Sequence, residues 1–256
     1  MRVYKFRSLQ NFEHVADIFC NHRFYAAQFF DLNDPMEGMF HAKPDTKKEY
    51  LEKIHEGKRN LRICSFSQDF RNLLLWAHYA DGFKGICIEV ELNDWPDQEV
   101  TNVHYDSYRL IFSNDQGQYA HYWPTMILKE KNTAWKYEKE IRILTKKEFV
   151  TFPGVEIKSV LLGHRTSDSI REALFRLVPK DAKVWQTKIS ESTNRVIKAQ
   201  QLNPADAKRS NANRSAWAGV SWLKCWLTST STGFTSFAAL ISFSGYVGRY
   251  AATASS

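Results

Sequence analysis

Two glutamates and an arginine alternate along one short stretch of the chain, and their types and spacing suit chemistry. Glu138, Glu140 and Arg142 lie in residues 135–144, which predict a strand because apolar side chains occupy the alternate positions. In a strand the three charged side chains share one face. Such a face is either a solvated ladder of ion pairs or the wall of a cleft in which a carboxylate acts, and the sequence leaves both alternatives open.

Polar residues of two other predicted strands are candidates to join these carboxylates. Residues 3–6 predict a first strand, which places Arg7 at its C-terminal end. Residues 61–67 alternate as another strand, so Ser65 and Ser67 share a face. Taken singly, each feature also suits an ordinary surface or sheet position.

Together, and in their order along the chain, five of these residues resemble the arginine–serine–glutamate clade of ADP-ribosyltransferases. They are Arg7, Ser65, Ser67, Glu138 and Glu140. The resemblance implies that Arg7 binds the pyrophosphate of the co-substrate NAD and that Ser65 and Ser67 line the nicotinamide pocket. It further implies that Glu140 is the catalytic carboxylate and that Glu138 orients the acceptor, a macromolecule. An ionised carboxylate suits this reaction, because cleaving the nicotinamide–ribose bond builds up positive charge on the ribose.

A second resemblance extends over most of residues 3–188. Five successive motifs are similar to those of a bacterial family known as domain of unknown function 2971, namely residues 3–8, 32–37, 65–67, 75–89 and 135–142. This family has no established activity. With the first resemblance, it implies a cytoplasmic bacterial enzyme, related to toxins or to defence.

Two other classes of function compete with the transferase. One is a non-catalytic ligand- or protein-binding module in which Glu138, Glu140 and Arg142 form a structural ion-pair ladder. The other is a nuclease or hydrolase that holds a metal ion between Glu89, Glu138 and Glu140. The histidines show no metal-ligand spacing, so we assign no metal site.

The order of predicted elements favours an α+β domain over residues 1–200. Strands interrupted by single helices predict a mixed or largely antiparallel sheet. We expect a helix over 46–56 that ends at Gly57, a helix capped by Asp69, a strand over 86–92 with one buried face, and a last strand over 183–189. The chain is 43% hydrophobic, which is ample for a core.

Charge and cysteine content limit the partners and the compartment. The net charge is +7, but residues 201–256 hold five basic residues against one aspartate, so only +3 belongs to the first 200 residues. This is too little for a nucleic-acid surface. Cys20, Cys64, Cys87 and Cys225 form no CxxC pair and lie in apolar surroundings, which predicts buried thiols in a reducing cytoplasm. No signal peptide is visible at the N-terminus.

The composition changes near residue 200. Residues 201–256 are rich in Ser, Thr and Ala, which predicts a poorly ordered or weakly helical tail, or an unselected extension of the domain. The uncharged stretch 225–248 is long enough to cross a membrane. We nevertheless expect no membrane helix there, because Ser, Thr and Gly are too frequent.

Overall fold

The computed structural model describes residues 1–92, 99–106, 109–111, 121–151 and 156–203. The α-helices in these ranges are α1 (Phe12–Asn21), α2 (Lys48–Arg59), α3 (Leu73–Tyr79), α4 (Trp123–Ile127) and α5 (Asp168–Leu177), and 3₁₀ helices cover Phe29–Asp31 and Thr133–Glu138. The strands are β1 (Arg2–Arg7), β2 (Arg23–Tyr25), β3 (Ala27–Gln28), β4 (Phe40–Ala42), β5 (Arg62–Ser67), β6 (Ile86–Glu91), β7 (Glu99–Asn102), β8 (His104–Tyr105), β9 (Arg109–Ile111), β10 (Glu130–Lys131), β11 (Glu140–Thr145), β12 (Phe149–Thr151), β13 (Glu156–Leu162), β14 (Lys183–Ser190) and β15 (Arg195–Leu202).

One large sheet organises these elements. Its strand order is β15–β14–β13–β6–β1–β5–β11–β7, and β3 also pairs with β5. Neighbouring strands run antiparallel except β13 and β14. A parallel pair needs a crossover connection, which α5 supplies. The predicted α+β fold with a mixed, largely antiparallel sheet is therefore confirmed.

Helices cover both faces of the centre of the sheet. α1 and α5 pack on one face, where Ile86 and Ile88 of β6 are buried. α3 packs on the other face, where Cys87 joins a cluster with Trp76. The prediction that β6 has a single buried face is wrong, because Cys87 and Glu89 are buried as well.

The sheet splits between β1 and β5. These strands pair at one position only, Tyr4 with Ser67. Beyond it β1 continues beside β6 up to Arg7, whereas β5 pairs with β3 through Arg62 and Ile63. The two strands thus diverge and leave a fork that opens on the C-terminal half of β1.

Several boundaries differ from the sequence predictions. Gly57 does not end α2 but lies inside it, because the helix packs closely on α4: a Cβ there would lie 2.4 Å from Pro124 Cγ. Asn72, not Asp69, caps α3, since its side chain accepts a hydrogen bond from Leu74 N. The predicted last strand, β14, is followed by β15, which runs to Leu202.

The exposure of each cysteine thiol depends on which side of its helix or strand is packed. Cys64 and Cys87 are buried, as expected. Cys20 is exposed, contrary to the prediction, because Val15, Ile18 and neighbouring Phe19 form the buried side of α1.

No helix within the described ranges is long and apolar enough to cross a membrane. The predictions for the tail from residue 204 onward, including Cys225 and the stretch 225–248, lie outside the described residues.

Candidate functional site

A cleft with a volume of about 270 Å³ lies at the fork between β1 and β5. Its lining includes all five residues singled out in the sequence: Arg7, Ser65, Ser67, Glu138 and Glu140. Arg7 ends β1, the serines belong to β5, and Glu140 begins β11, where it pairs directly opposite Ser67. The structure therefore brings together side chains that are widely separated in the chain.

Glu138 reaches the cleft from a 3₁₀ helix and not from a strand. The predicted strand over residues 135–144 is wrong in its first half, because Thr133–Glu138 forms this 3₁₀ helix and Lys139 then adopts a left-handed conformation with φ 46°. Trp135 and Tyr137 are consequently half-buried, whereas the alternating pattern predicted them in the core. The Asn132 side chain caps the 3₁₀ helix by accepting a hydrogen bond from Ala134 N.

Arg142 holds Glu140 in a fully buried ion pair. Arg142 Nε donates to Glu140 Oε1 at 2.9 Å and Nη2 donates to Oε2 at 3.1 Å. The same guanidinium donates to both carboxylate oxygens of Glu37, at 2.6 and 2.8 Å. Arg142 is 0% exposed, so the charged face is buried and the alternative of a solvated ladder is excluded. Sequence reasoning missed Glu37, which follows the Asn-Asp-Pro turn.

Lys131 and Tyr79 complete the network around Glu138. Lys131 Nζ donates to Glu138 Oε2 at 2.5 Å and to Glu140 Oε2 at 2.9 Å. The Tyr79 hydroxyl donates to the other oxygen of Glu138 at 2.5 Å. Both residues line the cleft, and neither was predicted as a site residue.

The carboxyl groups of Glu138 and Glu140 differ in acidity. Burial raises the pKa of Glu138 and the charge of Glu140 adds to this, while Lys131 opposes it. Burial acts on Glu140 too, but Arg142 and Lys131 outweigh it and hold the pKa of Glu140 below its usual range. Such a pair suits a division of roles, in which Glu140 stays ionised and Glu138 exchanges a proton.

Two polar atoms of the cleft make no well-formed hydrogen bond within the part of the chain that the structure describes. Among the described residues, Arg7 Nε and Ser65 Oγ are buried and make no hydrogen bond of normal geometry. The Ser65 hydroxyl lies close enough to Glu140 to help lower the pKa of that carboxyl group. Because buried polar groups are normally paired, these atoms indicate a place for ligand atoms or water.

Ser67 has a different role from Ser65. Its hydroxyl donates to the Glu138 backbone oxygen at 2.6 Å and accepts a hydrogen bond from Asp69 N at 3.1 Å. Ser67 therefore fixes the end of the 3₁₀ helix that carries Glu138.

Lys5 links β1 and β5 across the fork. Its Nζ donates to the Ser65 backbone oxygen at 2.5 Å, at a point where β1 and β5 no longer pair. Lys5 is 8% exposed, and burial lowers its pKa to about 8.

This shift predicts a stability that depends on pH. The folded-state pKa of Lys5 is lower than the unfolded value of about 10.4, so the unfolded state binds more protons between these values. The free energy of unfolding should therefore rise by about 1 kcal/mol from pH 7 to pH 9 relative to a Lys5→Met variant. Urea unfolding of both proteins across this range checks it, and identical pH slopes would contradict it.

A second cavity adjoins the cleft. It has a volume of about 360 Å³ and shares Arg7 and Tyr25 with the cleft. Arg23 and Phe149 form another part of its wall, where the guanidinium lies 3.8 Å from the ring centroid and is held by Asp17. Arg7 thus stands at the junction of two cavities.

Glu89 does not belong to this site. Its carboxylate pairs with Lys198 at 2.7 Å and with Arg2 at 3.2 Å, and it accepts a hydrogen bond from Ser159. It does not line the cleft, so the metal site of Glu89, Glu138 and Glu140 does not form. In the part of the chain that the structure describes, no group of three or more His, Cys, Asp or Glu side chains is arranged to hold a metal ion.

Comparison with known proteins leaves the site to be interpreted from its own geometry. No protein-family model, no curated protein and no solved structure matches this chain.

Proposed function

We propose that the cleft binds NAD and that the protein is an ADP-ribosyltransferase-like enzyme acting on a macromolecule. One observation carries this proposal: Arg7, Ser65 and Glu140, from three different strands, line a single cleft in which Arg7 Nε and Ser65 Oγ make no hydrogen bond of normal geometry with any described residue. A pyrophosphate supplies the acceptors that a guanidinium binds best. A carboxamide supplies a partner for a serine hydroxyl.

The sizes of the two cavities suit the two halves of NAD. The cleft volume of about 270 Å³ is below the range of about 300–1,000 Å³ for pockets that enclose a drug-sized ligand, so it suits one ring such as nicotinamide. The second cavity, which shares Arg7 with the cleft, offers Tyr25 and Phe149 to the adenosine half. Arg7 would then meet the pyrophosphate between them.

In the proposed reaction the bond between ribose C1′ and nicotinamide N1 breaks. Its electron pair neutralises the pyridinium, the nucleophile of the acceptor bonds to C1′, and the proton of the nucleophile passes to Glu138. The Glu140 carboxylate stabilises the positive charge that develops on the ribose. Arg142 and Lys131 use three of its about four acceptor positions, and the remaining one, next to the Ser65 hydroxyl, would accept a hydrogen bond from a ribose hydroxyl.

Nicotinamide release from NAD by the purified protein tests the proposal. A Glu140→Gln variant should release nicotinamide about 100-fold more slowly, because it lacks the charge that stabilises the transition state. Ser65→Ala should weaken NAD binding without breaking an ion pair. Glu52→Gln, an exposed residue of α2, is the matched control and should behave as the unaltered protein.

Two results would refute the transferase. One is equal nicotinamide release from the unaltered protein, Glu140→Gln and Ser65→Ala. The other is a protein that shows no heat of NAD binding in calorimetry.

A non-catalytic ligand-binding module is the second candidate. It is favoured by the same buried ion pairs, because Arg142 and Lys131 already neutralise much of the charge of Glu140. NAD binding without nicotinamide release would support this module in place of the enzyme.

A further inference from the structure

The carboxylate end of the cleft already contains a cation of the protein itself. The Lys131 ammonium lies between Glu138 and Glu140, within hydrogen-bonding distance of both, and its side chain is only 7% exposed. It also lies 5.0 Å from the centroid of the Trp135 ring, a distance typical of a cation–π contact. Three groups thus hold the ammonium in one place.

The backbone around Lys131 also fixes its position. Lys131 ends β10, which pairs with β8 in the register Lys131 to Tyr105. The Tyr105 hydroxyl accepts a hydrogen bond from Glu140 N at 2.6 Å. Lys131 and the carboxylate that it binds are therefore attached to the same strand pair.

The charges of the cleft balance when Lys131 is counted. The lining contains three cationic side chains and three carboxylates, namely Lys5, Arg7, Lys131, Asp31, Glu138 and Glu140. A further cation at the carboxylate end would lie beside Lys131 and repel it. Without Lys131, Glu138 would have no cationic partner among the described residues, and the two carboxylates would form a site for an external cation.

We propose that Lys131 determines the acceptor class of the proposed transferase: it fills the cation site between Glu138 and Glu140, so the acceptor group is an uncharged hydroxyl. A guanidinium or ammonium group would have to displace Lys131 from two carboxylates. A hydroxyl needs a single acceptor atom, and Glu138 keeps acceptor positions free, because Tyr79 and Lys131 use two of about four.

The inference rests on the proposed function only for the transfer step. In that step the hydroxyl oxygen bonds to ribose C1′, its proton passes to Glu138, and nicotinamide leaves with the electron pair of the broken bond. The occupied cation site itself is a property of the folded protein, and it can be tested without NAD.

Calorimetry with methylguanidinium as the probe tests the cation site on the full chain. We expect the Lys131→Met variant to bind the probe at least tenfold more tightly than the unaltered protein. Lys136→Met removes an exposed lysine of the same segment and should leave the affinity unchanged. Equal affinities of Lys131→Met and the unaltered protein would overturn the inference.

The unaltered protein gives a second test that no folding defect can affect. If it binds methylguanidinium in the cleft with submillimolar affinity, Lys131 does not fill the site. Such binding would be detected as a competitive effect on NAD binding, or as a change in tryptophan fluorescence that a Trp135→Phe variant does not show. This result would overturn the inference whatever the fate of the variant.

A transfer assay then connects the site to the acceptor. With NAD, the unaltered protein should label a serine-containing peptide in preference to an arginine-containing peptide, and Lys131→Met should shift labelling toward arginine. Equal or preferred labelling of the arginine peptide by the unaltered protein would overturn the proposal. Absence of nicotinamide release together with the expected methylguanidinium result would refute the enzyme and leave the occupied cation site standing.

Discussion

Replacement of Arg142 by methionine is expected to lower the free energy of unfolding by about 3–5 kcal/mol. The guanidinium is 0% exposed and makes bidentate contacts with both Glu37 and Glu140. The variant would leave two buried carboxylates without this guanidinium, and within the described ranges only Glu140 would keep another cation, Lys131. The fifth hydrogen bond of Arg142, from Nη1 to the Leu128 backbone oxygen at 2.7 Å, would be lost as well. Urea unfolding at neutral pH measures the change.

Two further variants show whether the loss of stability comes from the buried carboxylates that no longer contact a guanidinium. Arg176 is an exposed arginine of α5 that pairs with Glu172 four residues away, so Arg176→Met should cost less than about 1 kcal/mol. Combining Arg142→Met with Glu37→Gln and Glu140→Gln removes the two buried carboxylate charges and should recover part of the lost free energy of unfolding. If Arg142→Met is as stable as Arg176→Met, the buried network does not hold this part of the fold together.

The side chains of the cleft were predictable where a local pattern defined a strand. Arg7 ends a short apolar strand and Ser65 alternates with buried neighbours on β5, so both positions follow from the period of a strand. Glu140 and Arg142 share a face for the same reason. The resemblance to the transferase clade grouped these residues, and the structure places them on one cleft.

The partners of the carboxylates were not predictable from local pattern. Glu37 lies 105 positions from Arg142, and only the folded chain brings the loop after the Asn-Asp-Pro turn against β11. Lys131 is close to Glu138 in sequence, but an alternating strand would have separated Trp135 and Tyr137 from the charged face. The 3₁₀ helix breaks that alternation, and Asn132 as its cap was the available signal.

The fork that makes the cleft is also a non-local feature. β5 looks like an ordinary alternating strand in the sequence, and nothing in its pattern indicates that it pairs with β3 at Arg62 and Ile63 and meets β1 only at Ser67. Strand neighbours depend on the packing of the whole sheet. The residues of the site were therefore easier to predict than the cleft that they line.

Gly85→Ala is expected to lower the free energy of unfolding by about 3 kcal/mol, the upper end of the usual cost of overpacking. A Cβ at Gly85 would lie 2.3 Å from the Arg7 backbone oxygen and 2.8 Å from Ala80 Cα. Both neighbours are backbone atoms, so no change of side-chain rotamer relieves the contact. The strain falls on the end of β1, where Arg7 pairs with Ile86. Urea unfolding measures the loss of stability.

Gly82→Ala separates the effect of the clash from that of backbone conformation. Gly82 has φ +57° and no atom within 4 Å of a Cβ, so alanine there should cost only about 1–2 kcal/mol of left-handed strain. NAD titration then shows where the clash is relieved. Because Arg7 is placed by the end of β1, Gly85→Ala should weaken NAD binding, whereas Gly82→Ala should not. A destabilised Gly85→Ala protein with unchanged NAD affinity would mean that the turn at Ala80 moves and that Arg7 keeps its place at the junction of the two cavities.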